Sequence, residues 1–462
     1  MNWKSRMLLP LLFILAVMLQ TGIAAGNRPP NILLIVSDDQ GYRDLGCFGG
    51  EEVKTPNLDR LAREGIRATS FYVTWPACTP SRASLLTGRY PQRHGLYDMI
   101  RNDMVNYGHQ YTTNDYPFSP EMTLGMDLRE VTLAQVLGQA GYRTGAIGKW
   151  DGGRARRFLP LQRGFDFYYG FANTGIDYWT HERYGIPALM RGNEDITESG
   201  YATDLFRREA GSFVRQNQDR PFFLYLAFNA PHTAANLQKD SYQAPEEVVA
   251  LYPPARTARA TNRAKYMAAI TSMDAAIGEL LDMLQALELE RDTLVLFLSD
   301  NGAGRIGDNA PLRGYKADLW EGGVRVPFIA RWPGQLPAGG VTDEFLTALE
   351  IFPTLIAAAG AKPPEGVILD GFNMLPVLQG RVKSPRTEMF WERRQFKAAR
   401  LGNYKWVDMG QTGGLFDLSQ DNSEQHDLSS EKPGVLHRLK SQFAAWKKEM
   451  DAAEPRGPFK NY

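Results

Sequence analysis

Two runs of this sequence end alike. "NILLIVSDD" sets Asp38 and Asp39 behind the apolar residues 32–36, and "TLVLFLSDN" sets Asp300 and Asn301 behind a run of nearly the same shape. Three carboxylates and an amide oxygen form a hard donor set of the kind that takes Ca²⁺ or Mg²⁺. Lys149 closes "RTGAIGK", and His232 follows "PFFLYLAFNAP", so a cation and an imidazole stand beyond two further apolar runs. Singly, each has an ordinary explanation: an Asp after a strand turns the chain or caps a helix, and a lone His or Lys is solvated or hydrogen-bonded. Their recurrence at equivalent positions points instead to one site. A divalent cation there would polarise an anionic substrate or acidify a ligating hydroxyl. With six histidines and two cysteines in the whole chain, no zinc-type ligand spacing can be assembled.

A third stretch, "CTPSRASLLTG" at residues 78–88, carries one of the two cysteines. Pro80 sets a turn, Ser81 suits the cap of a helix over "RASLLTG", and Gly88 suits its stop. Cys78 would then face the positive end of a helix dipole, a natural place for an anion. Arg82 adds a planar fork matched to sulfate or phosphate oxygens. Three readings of Cys78 stand at this point: a buried thiol, a disulfide partner of Cys47, or a thiolate nucleophile activated by the dipole and Arg82.

Elements must bring these residues together. Runs apolar at every position suit strands buried on both faces, as in a parallel sheet. "TPNLDRLAREG" reads as a helix capped by Thr55 and stopped by Gly65, "LREVTLAQVLGQAGY" as one ending at Gly141, and a further helix spans about 263–287. Strands and helices alternate, which predicts an α/β fold with a mostly parallel central sheet between helices. Ligands of such sheets bind beyond the carboxyl ends of the strands, where Asp38, Asp39, Lys149, His232, Asp300 and Asn301 would lie. After residue 375 the pattern changes to short strands with turns at Gly402-Asn403 and Gly413-Gly414. An amphipathic helix with Leu436, Leu439, Phe443 and Trp446 on one side follows. The expected division is a signal peptide over 1–25, a large domain over 26–375 and a small one over 376–462. The start has a charged "MNWKSR", an apolar "MLLPLLFILAVML" and a small-residue "GIAAG", which reads as an export signal with the mature chain beginning near Gly26. Export implies a periplasmic or secreted protein, or a lysosomal-type lumen, with no stable membrane insertion after cleavage. The 52 basic residues balance 52 acidic ones, which gives no argument for nucleic acid as a partner.

Cys-x-Pro-Ser-Arg followed by "LLTGR" resembles the signature of the type I sulfatases, whose cysteine is oxidised to Cα-formylglycine. The likeness extends in order through "PNILLIVSDDQG", "TPNLDRLAREG", "GYRTGAIGKW", "RGFDFYYGF", "APH", "LSDNG" and "GYKADLWEGGVRVP", nearly the whole mature chain. "LPLQRGFDFYYGFANTGIDYWTHER" and "FFLYLAFNAPH" look most like arylsulfatase B-type members, which remove 4-sulfate from N-acetylgalactosamine. The resemblance implies an alkaline-phosphatase-like large domain with a small C-terminal domain of antiparallel sheet and helix. It also implies one Ca²⁺ held by Asp38, Asp39, Asp300 and Asn301, with formylglycine at Cys78 completing the shell as nucleophile. Arg82 would hold the modified residue, Lys149 and Lys316 would bind sulfate, and His232 would protonate the leaving oxygen or bind sulfate. A sulfated carbohydrate or aryl sulfate as substrate and a formylglycine-generating enzyme as maturation partner follow from the same likeness. The hydrated aldehyde attacks sulfur, and loss of its second hydroxyl proton to a base expels sulfate.

One departure falls on that base. The family continues Gly-Lys-Trp with His, whereas this chain reads "GKWDGG" with Asp151 in that place. Asp151 does the job, another residue has taken it, or turnover is impaired; the first is preferred, because environment tunes catalytic pKa values. A phosphate or phosphonate ester hydrolase of the same superfamily, and a sulfated-glycan binding protein without turnover, are the alternatives. A second departure, "APHTAAN", lacks the Pro often found two residues beyond the His. His94 is read as structural. Trp75, Tyr178, Trp179 and His181 are read equally as walls of a sugar pocket or as core.

Overall fold

A computed structural model describes residues 28–100, 112, 114–115, 118–253 and 256–453 of the chain. The expected export segment, 1–25, lies outside the described residues. The strands are β1 (Asn31–Ser37), β2 (Ile66–Tyr72), β3 (Arg143–Lys149), β4 (Phe167–Phe171), β5 (Glu182–Arg183), β6 (Ile186–Pro187), β7 (Leu189–Arg191), β8 (Glu194–Asp195) and β9 (Phe222–Ala227). They continue as β10 (Thr293–Ser299), β11 (Arg325–Arg331), β12 (Gly340–Thr342), β13 (Leu346–Thr347), β14 (Glu388–Arg393), β15 (Phe396–Leu401), β16 (Tyr404–Asp408) and β17 (Gly413–Asp417).

Eleven strands form the central sheet in the order β12-β2-β11-β10-β1-β9-β3-β4-β7-β8, with β13 also paired to β2. The middle four, β10, β1, β9 and β3, are parallel to one another. Antiparallel pairs occur toward the edges, at β10–β11, β11–β2, β4–β7 and β7–β8. The sheet is therefore mixed and mostly parallel, as the alternation of strands and helices predicted.

β1 is buried at every residue because helices cover both faces of the sheet. Its Leu33 and Ile35 join one core with helices Pro56–Glu64, Ala202–Gln216 and Ala258–Ala286. Ile32, Leu34 and Val36 point the other way, into a core with helices Cys78–Thr87, Leu133–Gln139 and Ile351–Ala358. Successive side chains of a strand alternate faces, so one continuous apolar run can serve both cores.

The C-terminal part is a four-stranded antiparallel sheet, β14-β15-β16-β17, packed on helix Pro433–Ala452. The expected boundary at 375/376 falls at the start of a one-turn helix, Leu375–Leu378, that packs in the core of the large domain, and the antiparallel sheet begins at Glu388. Leu439, Phe443 and Trp446 share a core with Tyr72, Tyr90, Leu319 and Trp320 of the large domain. Trp391 of β14 donates its indole N–H to the Val73 carbonyl at 2.7 Å.

Several local expectations are corrected. The Gly413-Gly414 pair opens β17, and the turn lies before it, where Met409 N–H bonds to Thr412 O at 2.8 Å. The long helix starts at Ala258 rather than near 263, because Thr257 caps it by accepting from Ala260 N–H. Thr55 precedes the Pro56–Glu64 helix but does not cap it, since its hydroxyl accepts from Gly46 N–H instead. The cap comes from a distant residue: Asp274 accepts from the backbone N–H groups of Asn57 and Leu58 at 3.1 and 2.7 Å and from the Asn57 amide at 2.9 Å. Replacing a buried acceptor of several donors costs about 1–3 kcal/mol. Asp274→Ala is expected to lower stability by about that amount, read from the midpoint of urea unfolding, and an unchanged midpoint would contradict the capping role.

Candidate active site

Four parallel strands in the middle of the sheet end side by side, and each end carries part of the site. Asp38 and Asp39 follow β1, Asp300 and Asn301 follow β10, Lys149 is the last residue of β3, and His232 lies in the turn after β9. The backbone before Lys149 demands glycine: Gly148 has φ +93°, and a Cβ there would stand 1.9 Å from the Ala227 carbonyl oxygen. Asp39 and Asp151 themselves adopt positive φ, +62° and +55°, in the left-handed region that Asp tolerates better than most residues.

Cys78 opens its helix rather than preceding it. The helix runs Cys78–Thr87 with Ala77 in the cap position, and Ser81 lies within it, so Ser81 is not the cap. Pro80 is accommodated because the first turn has no intrahelical use for its missing N–H. Gly88 ends the helix in the left-handed conformation, its N–H on Ser84 O at 2.8 Å. Every residue of this helix is buried.

The side chains meet in pairs of opposite charge. Lys149 Nζ stands 2.6 Å from Asp38 Oδ2, and Lys316 Nζ 2.7 Å from Asp39 Oδ2. Arg82 donates through Nε to Asp300 Oδ2 at 2.8 Å and lies 3.7 Å from Asp38. The other Asp300 oxygen accepts from Asp39 N–H at 3.2 Å, and Asn301 donates its amide to Asp39 Oδ1 at 2.7 Å. Cys78 Sγ lies 3.3 Å from Asp38 Oδ1 and 3.5 Å from Lys316 Nζ. The sequence-derived residues Asp38, Asp39, Cys78, Arg82, Lys149, Asp151, His232, Asp300, Asn301 and Lys316 thus form one connected cluster.

Burial sets the proton affinities. It pushes the Cys78 thiol well up, helped by Asp300 and Asp38 and only partly opposed by Lys149 and Lys316. The thiolate reading of Cys78 is therefore not supported. Cys47 and Cys78 are both free, which removes the disulfide reading. Burial would raise the Asp39 carboxyl, yet the charge of Lys316, with hydrogen bonds from Lys316 and Asn301, holds it well below the usual range. Burial raises Asp300 despite Arg82 beside it. His232 is pushed down to about 3 by burial and by Lys316. Its Nδ1 faces the Thr233 carbonyl at 2.8 Å, so that nitrogen holds the proton of the neutral ring and Nε2 presents a lone pair 3.7 Å from Asp39. Asp151 is pushed up to about 6 by burial, against Lys149 and Arg82. One of its oxygens accepts from Thr79 Oγ1 at 3.0 Å; the other is buried without a hydrogen-bond donor, 3.9 Å from Lys149 Nζ.

The donor set fits a divalent cation. Asp38, Asp39, Cys78 and His232 each offer a ligand atom, all within 4.8 Å of one another. Asn301 Oδ1 is buried with no hydrogen-bond partner, an unspent oxygen at the same place. Asp300 lies outside that group of four, held by Arg82 and Asp39 N–H, so the oxygens suited to a hard ion there are those of Asp38, Asp39 and Asn301.

Some participants were not anticipated: Thr79 holds Asp151, and Tyr225 lies 3.5 Å from Arg82. Tyr178, read as pocket or core, donates to the carbonyl oxygens of Asn229 and His232 at 2.8 and 2.9 Å. The hydroxyl of Tyr225 in an otherwise apolar strand run was the available signal. Of the four residues considered for a sugar pocket, Trp75, Tyr178 and His181 are buried and spend their polar atoms on backbone carbonyls, whereas Trp179 is exposed. His94 is buried beside Ser84 and takes the Leu96 N–H, a structural position.

The sulfatase family model matches residues 30–361, and that of the C-terminal part of N-sulphoglucosamine sulphohydrolase matches 315–449. N-acetylgalactosamine-6-sulfatase of Canis lupus familiaris is 36% identical over 404 residues, 83% of this chain and 72% of that protein. Human arylsulfatase A is 34% identical, covering 96% of this chain and 92% of its own. These names do not single out the 4-sulfatase type. Among solved structures, Ps i-CgsB aligns with a TM-score of 0.82 at 32% identity, over 93% of this chain and 94% of that one. The phosphonate monoester hydrolase of Agrobacterium radiobacter, at 21% identity and a TM-score of 0.63, shares the fold alone. The fold is the alkaline-phosphatase-like one expected, and the family match runs from β1 past every residue of the cluster: the chain belongs to the sulfatase family and is a sulfuric ester hydrolase.

Proposed function

We propose that this enzyme cleaves sulfate esters of a sulfated saccharide in an exported compartment, with one Ca²⁺ at Asp38, Asp39, Asp300 and Asn301 and with Cys78 converted to Cα-formylglycine. The observation that carries the reading is the placement of Cys78: fully buried at a helix N-terminus, in contact with Asp38 on one side and Lys316 on the other. The saccharide substrate is supported by the relatives named for N-acetylgalactosamine-6-sulfate and by the Ps i-CgsB structure with k-i-k-neocarrahexaose, which aligns with a TM-score of 0.81 at 31% identity. Export rests on the sequence of residues 1–25, and no described helix is long and apolar enough to cross a membrane. The division into a catalytic part, 26–375, and a C-terminal part, 376–462, belongs to the same reading.

Bound Ca²⁺ supplies Lewis-acid polarisation and charge for a sulfuryl oxygen. Formylglycine supplies a hydrated aldehyde with one hydroxyl to attack sulfur and a second whose deprotonation releases sulfate. The remaining work falls to the chain. Lys149 and Lys316 hold sulfuryl oxygens in a water-poor site where fixed cations act strongly. Arg82, bonded to Asp300, fixes the metal-side carboxylates. His232 begins neutral; an anionic ester beside Nε2 raises its proton affinity and lets it carry a proton to the leaving oxygen. Asp151 is the base, held by Thr79 with one oxygen left over. Conversion of Cys78 must precede folding of its segment, because Cys78, Pro80 and Arg82 are all buried in the folded chain. The maturation enzyme thus meets an unfolded chain.

Peptide mass spectrometry of the segment around Cys78 after native expression should show formylglycine, and unmodified thiol alone would overturn the mechanism. Ca²⁺ should raise the melting temperature of the parent and lose that effect in Asp39→Asn; a shift that survives the substitution would place the ion elsewhere. Asp151→Ala should leave the sulfuryl-transfer burst and slow the sulfate-release step by at least about 10²-fold, with Asp151→His restoring part of it. Burial raises the Asp151 carboxyl to about 6 before the cation binds, and below its pKa it cannot accept a proton, so release should rise as the pH passes through a midpoint at or below about 6 and level off above it. A release step unchanged in Asp151→Ala would remove Asp151 as the base.

A further inference from the structure

A cleft lined by Glu52, Arg259, Arg263, Arg305 and Asp308 lies between the first turns of helix Ala258–Ala286 and the loop 303–308. It is tied to the site through the backbone. The loop follows Asn301 directly, Ala303 O accepts from Lys316 N–H at 2.8 Å, and the Arg305 guanidinium lies over the ring of Tyr315, the neighbour of Lys316, at 5.0 Å. Arg263 is committed to Asp44 and Glu52 at 2.9 and 3.0 Å. Asp308 is engaged by Ala310 N–H at 2.8 Å. Arg259 and Arg305 differ: both are exposed, and among the described residues neither forms an ion pair. Arg259 donates to the Arg305 backbone carbonyl at 3.1 Å, which holds the two residues together. A guanidinium stacked on an aromatic face keeps its in-plane N–H groups free for a planar or tetrahedral anion. The positive end of the long helix adds to the same field.

Resting on the saccharide reading above, we propose that Arg259 and Arg305 form a second anion subsite, which takes a sulfate or carboxylate on a sugar adjacent to the one whose ester is cleaved. The enzyme then prefers a doubly anionic saccharide over a singly sulfated one. Charge-assisted hydrogen bonds at such a subsite strengthen binding without touching the reacting atoms, so the preference resides in KM. Because both arginines are exposed, it weakens as salt is raised.

The test compares the parent with Arg259→Gln, Arg305→Gln and the double variant on a monosulfated and a disulfated oligosaccharide of one backbone. The double variant should lower the disulfated-to-monosulfated ratio of kcat/KM by about tenfold, through KM, with a smaller drop at high salt. An unchanged ratio overturns the subsite. An equal fall on both substrates also overturns it, since it would mean that Arg305 merely positions Lys316 through Tyr315. If the mature parent cleaves neither oligosaccharide, the saccharide reading fails by itself. Calorimetric affinity of the two oligosaccharides for the parent and the double variant then decides the subsite: a disulfated preference lost in the variant supports it, and equal affinities overturn it.

Discussion

Charge neutralised in place, without water, is the constraint on which this site depends. Asp38 and Asp300 are fully buried and Asp39 nearly so, and carboxylates taken from water are tolerated only when each meets a cation or a set of donors. Lys149 and Arg82 meet Asp38, Lys316 meets Asp39, and Arg82 meets Asp300. The same cations are the groups suited to hold a sulfate. A divalent ion among the carboxylates would take over their neutralisation and leave Lys149 and Lys316 for the substrate. One set of charges would then serve stability in the resting chain and binding in the loaded one.

The C-terminal part enters through a second buried charge cluster. Lys405 of β16 lies 2.8 Å from Glu321 and 3.0 Å from Glu424, all three fully buried. Burial would raise Glu321, but Lys405 and Arg325 hold it low, while Glu424 is pushed up to about 7. Glu321 also accepts from Tyr72 Oη at 2.6 Å and follows the turn that bears Lys316. That turn is clamped at both ends: Gly322 N–H bonds to Arg313 O at 2.7 Å, and Ala317, strained at φ +73°, bonds to Pro76 O at 2.8 Å. A Cβ at Gly302 would stand 1.8 Å from Gly322 O, so the segment after Asn301 and the segment after Lys316 can pack this closely only through glycine. Trp75, two residues before Ala77, donates to Glu392 O at 3.0 Å. The small sheet thus braces the segments before Cys78 and around Lys316, which explains why the two parts share one apolar core.

Residues that obey periodicity were legible in the sequence, and residues that obey long-range packing were not. Apolar runs ending in Asp-Asp, Lys, His and Asp-Asn gave the central strands and their shared edge, because a buried parallel strand has no other composition available to it. The start of the Cys78 helix was misplaced because Pro80 and Ser81 look like a turn and a cap, while burial of the whole segment lets the helix begin earlier. The Asp274 cap lies far along the chain from the helix it serves, and local sequence rules expect a cap next door. Trp75 and His181 read equally well as pocket or core, since an aromatic ring suits either, and only their bonds to backbone carbonyls decide for core.

As the base proposed above, Asp151 would keep a histidine's role under different physics. An imidazole gains its usefulness as a base from an intrinsic pKa near neutrality, whereas a carboxylate must be raised to reach it. Lys149 and Arg82 pull the Asp151 carboxyl down, and a bound cation nearby would pull further. Burial works against them and wins in the resting chain, leaving it at about 6. The oxygen without a donor matters more than the value itself: a carboxylate fully satisfied by hydrogen bonds would have no lone pair to offer. Thr79, next to Cys78 in sequence, occupies the other oxygen and so ties the orientation of Asp151 to the helix that Cys78 opens. A histidine at 151 would need no such burial to serve as a base near neutral pH.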